Sequence, residues 1–161
     1  MTTLPPSQDN KKNEANIAIQ AQYIVDLSFE NPRAPLSLMA INSKPKVELN
    51  LDIDVKSIEN EEDIFQVGLH INAKVMHENE VLYILDFIYA GLFKLSYIPK
   101  ENYHVILAVE GPRHLFPFAR KIVADITQSG GFQPLMIDPI DFAALYKKRM
   151  DEQQQISAES H

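Results

Sequence analysis

The side chains best suited to acid–base or metal chemistry in this chain are five histidines, His70, His77, His104, His114 and His161, and three closely spaced carboxylates, Glu48, Asp52 and Asp54. No two of the histidines stand three or four residues apart, so no helix face carries a chelating pair. His77-Glu78 does not continue into a zinc-binding helix motif. A histidine–carboxylate centre would have to be assembled from distant positions, and the expectation is of surface or half-buried histidines. The carboxylates alternate with apolar residues, which puts them on the wet face of a strand. A solvated carboxylate has nothing beside it to tune it for proton transfer. The five glycines, Gly68, Gly91, Gly111, Gly130 and Gly131, write no phosphate-cradling loop, and no serine sits in a Gly-x-Ser-x-Gly elbow. The absence of cysteine removes disulfides, thiol nucleophiles and thiolate metal sites together. The residues therefore predict a protein that binds rather than one that turns over substrate, with no cofactor and no resident metal.

The 161 residues suffice for one domain. Residues 1–15 and 151–161 lack an apolar pattern and read as disordered, solvated tails, leaving 16–150 as the folded unit. The formal net charge of −7 opposes nucleic-acid binding, which needs clustered Lys and Arg, and suits basic partners. No basic-then-apolar leader follows Met1, and no apolar run approaches the length of a membrane span. The expectation is a cytoplasmic protein without direct membrane insertion.

Ile17 to Leu27 predicts a first strand with Ile17, Ile19, Ala21, Tyr23, Val25 and Leu27 on one face. Residues 31–46 carry three prolines and no period, and predict a long crossover loop. Its Leu36, Leu38, Met39 and Ile41 either tuck under the loop as a satellite core or wall an apolar groove. Val47 to Val55 alternates cleanly, and Phe65 to Val75 alternates again after an acidic turn at 57–63. Val81 to Phe93 is apolar on both faces. Val81, Tyr83, Leu85, Phe87 and Tyr89 share one, while Leu82, Ile84, Ile88, Ala90 and Leu92 share the other with Asp86. An antiparallel sheet normally wets one face, so this second face is covered by another subunit, a ligand or the chain's own loop. Glu101 to Glu110 predicts a short helix stopped by Gly111-Pro112. Leu115 to Ile126 predicts a second helix, apolar over a wide arc and stopped by Gly130-Gly131. That arc is a further pointer to oligomerisation. Asp141 predicts the cap of a last short helix.

Several runs then match a known family in order, over residues 17–147. They are Asp26-Leu27-Ser28-Phe29-Glu30-Asn31-Pro32 with Ala34-Pro35 behind it, Ala90-Gly91-Leu92-Phe93, and Leu115-Phe116-Pro117-Phe118-Ala119-Arg120. The last is Gly131-Phe132-Gln133-Pro134-Leu135 through Asp138-Pro139-Ile140-Asp141-Phe142, with Leu145-Tyr146. Together they resemble the motifs of SecB, the bacterial protein-export chaperone family. Gln133-Pro134 reverses the family's usual order, Asp141 stands where Asn is common, and the crossover loop lacks the frequent tryptophan.

The resemblance implies an α+β fold: a four-stranded antiparallel sheet with a long crossover loop and C-terminal helices, assembling as a homotetrameric dimer of dimers. It implies ATP-independent holding of unfolded precursor proteins in apolar grooves, for which Leu36, Leu38, Met39, Phe132, Leu135, Ile137, Phe142 and Tyr146 are the candidate walls. It also implies delivery to the SecA translocase ATPase. The basic, zinc-bearing C-terminal end of SecA would dock on an acidic sheet surface at Asp26, Glu30, Ile84 and Asp86. The alternative reading is an oligomeric binding module of the same fold, or a toxin–antitoxin-linked chaperone not dedicated to export.

Overall fold

The computed structural model of the chain describes residues 13–39 and 44–160. Four strands, β1 (Asn16–Glu30), β2 (Lys46–Ile58), β3 (Glu61–His77) and β4 (Glu80–Ser96), precede two helices, α1 (Tyr103–Ser129) and α2 (Phe142–Glu159). The strands form one antiparallel sheet in the order β1-β4-β3-β2. The expected α+β architecture is therefore present. The loop after β1 is long because β1 and β2 lie on opposite edges. The connection must pass two inner strands, about 14 Å at the usual strand spacing.

Alternation decides which face meets the helices. Val67, Leu69, Ile71 and Ala73 of β3 and Leu85, Phe87, Phe93 and Leu95 of β4 are all buried on one face, against α1, and Val75 is buried on the same face in a separate cluster. Two-residue turns join β2 to β3 and β3 to β4. The second places both Glu78 (φ 50°) and Asn79 (φ 64°) in the left-handed region, the conformation that matches hairpin twist. The strands run further than their apolar pattern, so the acidic turn expected over 57–63 shrinks to Glu59-Asn60.

Three bulges correct the expected faces. In β1, register shifts fall between Ile19 and Ala21 and between Ile24 and Asp26. Each extra residue flips the pleat, so Ile17, Ile19, Ile24, Leu27 and Phe29 lie on the α1 side of the sheet, with Ile19 and Ile24 left exposed. Ala21, Tyr23 and Asp26 face away. In β4 the shift lies between Tyr83 and Val81, at Leu82. Leu82 therefore joins Tyr83 in a buried cluster on the helix side, and Val81 leaves that set.

The helix expected to stop at Gly111-Pro112 does not stop. α1 is continuous for 27 residues, with Pro112 and Pro117 inside it. Each proline forfeits a backbone bond and strains the preceding turn, at about 3 kcal/mol. The buried stripe of Leu107, Gly111, Leu115, Ala119, Val123 and Thr127 outweighs that cost. Gly111 serves close packing instead: a Cβ there would lie 2.9 Å from both Val67 γ-carbons. The stop at Gly130-Gly131 is as expected. Gly131 takes φ +93°, its N–H donates to the Gln128 carbonyl and that of Phe132 to Thr127, which closes a Schellman motif. Asp141 caps α2 through the Ala144 N–H at 3.0 Å. Residues 151–159, expected as tail, continue α2 as helix, every one exposed.

Candidate functional site

The groove is built by the stretch between the two helices. Leaving the cap at Gly131, residues 132–141 run back along α1, tied at two points. Buried Thr127 accepts from the Leu135 N–H at 2.9 Å, and Arg120 Nε donates to the Ile137 carbonyl at 2.7 Å. Prolines 134 and 139 lack the N–H that a helix would use, so the stretch stays extended. Phe132 is thereby placed against Tyr83 (ring centroids 4.7 Å apart) and Phe29 (6.5 Å). Gly130 makes room for them, since a Cβ there would collide with the Phe29 ring. A groove of about 570 Å³ opens between this stretch and the sheet, lined by Val47, Val75, Leu82, Tyr83, Phe132 and Leu135 with Lys44 and Pro45 at its rim. Burial pushes the Tyr83 hydroxyl up to about 12, so it stays neutral in the wall.

Of the groove residues expected from sequence, Phe132 and Leu135 line this space. Leu38 sits beside it, close enough that a Cβ on Gly131 would lie 3.0 Å from its Cδ2. Leu36 and Met39 are exposed at 61% and 66%, unlike a satellite core. Ile41 lies outside the described residues. Three expected walls are corrected. Ile137 and Phe142 are only 3% and 2% exposed and sit in the main core, Phe142 against Phe116; they anchor the stretch and α2 rather than wall an open groove. Tyr146 lines a separate cleft of about 350 Å³ between β2, α1 and α2, with its hydroxyl 3.3 Å from His104 Nδ1. Over this cleft Arg149 reaches the β2 edge, donating to the Leu51 carbonyl at 2.6 Å and to Asp52 at 2.7 Å. Sequence reasoning missed Val47, Val75, Leu82 and Tyr83 as groove walls. All four sit in runs that read simply as strand core.

The opposite face of the sheet carries the second candidate surface. The two bulges of β1 cancel, so Asp26 and Glu30 lie on the face of Asp86. Across β1 and β4, Asp26 stands opposite Ile88, Ser28 opposite Asp86 and Glu30 opposite Ile84. The four residues expected to act together are therefore on one patch, with Asp26 and Glu30 exposed. His70 Nε2 donates to Asp86 Oδ1 at 2.6 Å, and Asn72 Nδ2 to the same oxygen at 3.5 Å. The His70 bond chiefly, helped by Asn72 and by the charge of His70, holds the Asp86 carboxyl below its ordinary value, while burial opposes the shift. Part of the second apolar face of β4 is covered by the chain itself. Tyr23 crosses it to donate to Gln66 Oε1 at 2.7 Å, and Ala90, paired with Tyr23, is fully buried. Ile84 and Ile88 remain half-exposed around Asp86.

Among the described residues no group of three or more His, Asp or Glu is arranged to hold a metal, and no buried side-chain polar atom lacks a partner. No helix there is long and apolar enough to cross a membrane. The arrangement offers an apolar groove on one side of a sheet and carboxylates on the other.

Comparison with known proteins gives a consistent result. The family model described as "Preprotein translocase subunit SecB" matches residues 10–153. The chain is 49% identical over 146 residues to the protein-export protein SecB of Rickettsia peacockii (strain Rustic), covering 91% of this chain and 95% of that one. It is 48% identical over the same length, with the same coverage, to its counterpart in Rickettsia conorii (strain ATCC VR-613 / Malish 7). Among solved structures, it is similar to the SecB-like chaperone of Mycobacterium tuberculosis in complex with a ChAD peptide from the HigA1 antitoxin. That likeness has a TM-score of 0.63 at 18% identity, covers 77% of this chain and 90% of that chain, and is one of fold.

Proposed function

The chain belongs to the SecB family of protein-export chaperones, and from that premise we propose that it holds non-native precursor proteins in the Phe132–Leu135 groove, without ATP, and passes them to SecA. The observation that carries this reading is the groove itself: about 570 Å³, walled mostly by apolar side chains and open to solvent. An unfolded chain offers apolar segments that a folded protein hides. Burying them yields about 25 cal/mol per Å² of apolar area without a sequence code. Val47, at 43% exposed, keeps the groove wall open to solvent, and Leu38, at 44%, extends the apolar surface beyond it. The peptide held by the M. tuberculosis SecB-like chaperone fits the same reading.

Delivery rests on the outer face of the sheet. Asp26, Glu30 and Asp86, with Ile84 beside Glu30, suit the basic, zinc-bearing end of SecA, and steering by opposite charge speeds such encounters. The assembly is a homotetramer, a dimer of dimers. Val105 and Phe118 of α1, 38% and 51% exposed, and the unpaired outer edge of β1 are the surfaces that partner subunits would cover. Several grooves on one tetramer raise the effective concentration of each for a long client. The protein works in the cytoplasm and turns over no substrate. Export, rather than a toxin–antitoxin role, is favoured by the 48–49% identity to export proteins against 18% to the antitoxin-bound structure.

The test mixes the purified protein with a chemically unfolded, slow-folding secretory precursor, following refolding by fluorescence and mass by native mass spectrometry. Delayed refolding with a tetramer carrying the precursor supports the proposal. Unchanged refolding beside a bare monomer or dimer contradicts it.

A further inference from the structure

We infer that His70 is a positioning residue for SecA docking: it fixes one oxygen of Asp86 so that the other faces the partner's basic group. The inference rests on the reading that SecA docks on the outer face of the sheet. Asp86 does not use its two oxygens alike. His70 Nε2 and Asn72 Nδ2, both from β3, donate to Oδ1, at 2.6 and 3.5 Å. Oδ2 takes no hydrogen bond from the described residues. On the β1 side Asp86 faces Ser28, with the exposed carboxylates Asp26 and Glu30 two residues either way along that strand. The side chain is 44% exposed, so its free oxygen is open to a cation arriving from solvent.

His70 has other carboxylates within its neighbourhood, and each is engaged elsewhere. Asp52 stands opposite it on β2 but accepts from Arg149 at 2.7 Å, and Asp54 is 3.4 Å from Lys56 Nζ. Asp86 is the acceptor that remains. A carboxylate held in one rotamer before docking loses less side-chain freedom on docking than one that turns freely. The bond also favours the ionised form, which is the form that attracts a basic segment.

The effect expected from losing this preorganisation is about a two- to tenfold weakening of binding. Titration calorimetry of purified SecA against the full-length protein, at neutral pH, would compare wild type, His70→Ala, His70→Gln, Asp86→Asn, Glu30→Lys and the double substitution His70→Ala with Asp86→Asn. Native mass spectrometry would verify an unchanged assembly in each. His70→Ala should weaken binding. His70→Gln, whose amide N–H donates from a similar reach, should recover most of it. In the Asp86→Asn background, His70→Ala should have no further effect. If Asp86→Asn weakens binding while His70→Ala binds as wild type or more tightly, His70 does not position Asp86 and the docking face stands. If Asp86→Asn and Glu30→Lys both bind SecA normally, the docking face itself is misassigned and the inference falls with it.

Discussion

His70 and Asp86 meet on a diagonal across β3 and β4. His70 pairs in register with Ile88 and Asp86 with Asn72, yet His70 Nε2 donates to Asp86 Oδ1 at 2.6 Å. This contact is what gives the lone charge on an otherwise apolar stretch of β4 a fixed place.

The contact makes stability depend on pH in a defined direction. The Asp86 carboxyl is depressed below its ordinary value of 3.8 by the His70 hydrogen bond first, with burial opposing. A depressed carboxyl contributes stability that is fully present above 3.8 and is lost as pH falls through the lower folded value. Wild type should therefore exceed Asp86→Asn in urea midpoint near neutral pH. The gap should be less than about 1 kcal/mol, because the pair is half-exposed. The two proteins should converge in strongly acidic urea titrations.

Docking and holding should separate. Glu30 is exposed, opposite Ile84 on the outer face, and away from the groove. Glu30→Lys should weaken SecA binding by about tenfold or more, equivalent to about 1.4 kcal/mol. The delay that the protein imposes on precursor refolding should stay unchanged, as read by stopped-flow fluorescence.

Gly111 is fixed by packing rather than by backbone conformation. In a free helix Gly→Ala gains up to about 1 kcal/mol. Here the added Cβ would lie 2.9 Å from both γ-carbons of Val67, which is fully buried. Overpacking of a core costs about 1–3 kcal/mol. Gly111→Ala should lower the urea midpoint despite the better helix former.

Arg149 latches α2 to the sheet edge through the Leu51 carbonyl and Asp52. Past Phe142 the helix is anchored by Leu145, by Tyr146 against His104 and by this arginine, and from residue 151 to 159 it is exposed throughout. Arg149→Ala should speed amide hydrogen exchange over α2, read by mass spectrometry, while leaving β3 and β4 protected.

The sheet was legible wherever a strand keeps a period of two without interruption, as β2 and β3 do. It was not legible at bulges. Those near Gln20, Val25 and Leu82 each reverse a pleat, and no residue type announces them. The two β1 bulges cancel, so Asp26 and Glu30 share the Asp86 face as plain alternation would have it; only the stretch between the bulges, with Ala21 and Tyr23, changes face. Gly111-Pro112 carries the usual signature of a stop, and tertiary packing against Val67 overrides it. The end of α2 was invisible because an exposed helix needs no apolar stripe. The groove was half legible. Phe132 and Leu135 stand in a conspicuous stretch, whereas Tyr83 and Leu82 contribute from a strand whose pattern reads as core.

The central claim, that precursors sit in the groove, is most directly tested by site-specific photo-crosslinking. A photoreactive residue would be placed at Val47, at Leu135 and, on the outer face of β2, at Asn50, and each protein irradiated with an unfolded secretory precursor. Strong crosslinks from Val47 and Leu135 with little from Asn50 are predicted. Equal crosslinking from Asn50, or none from the groove positions while refolding is still delayed, would contradict the account.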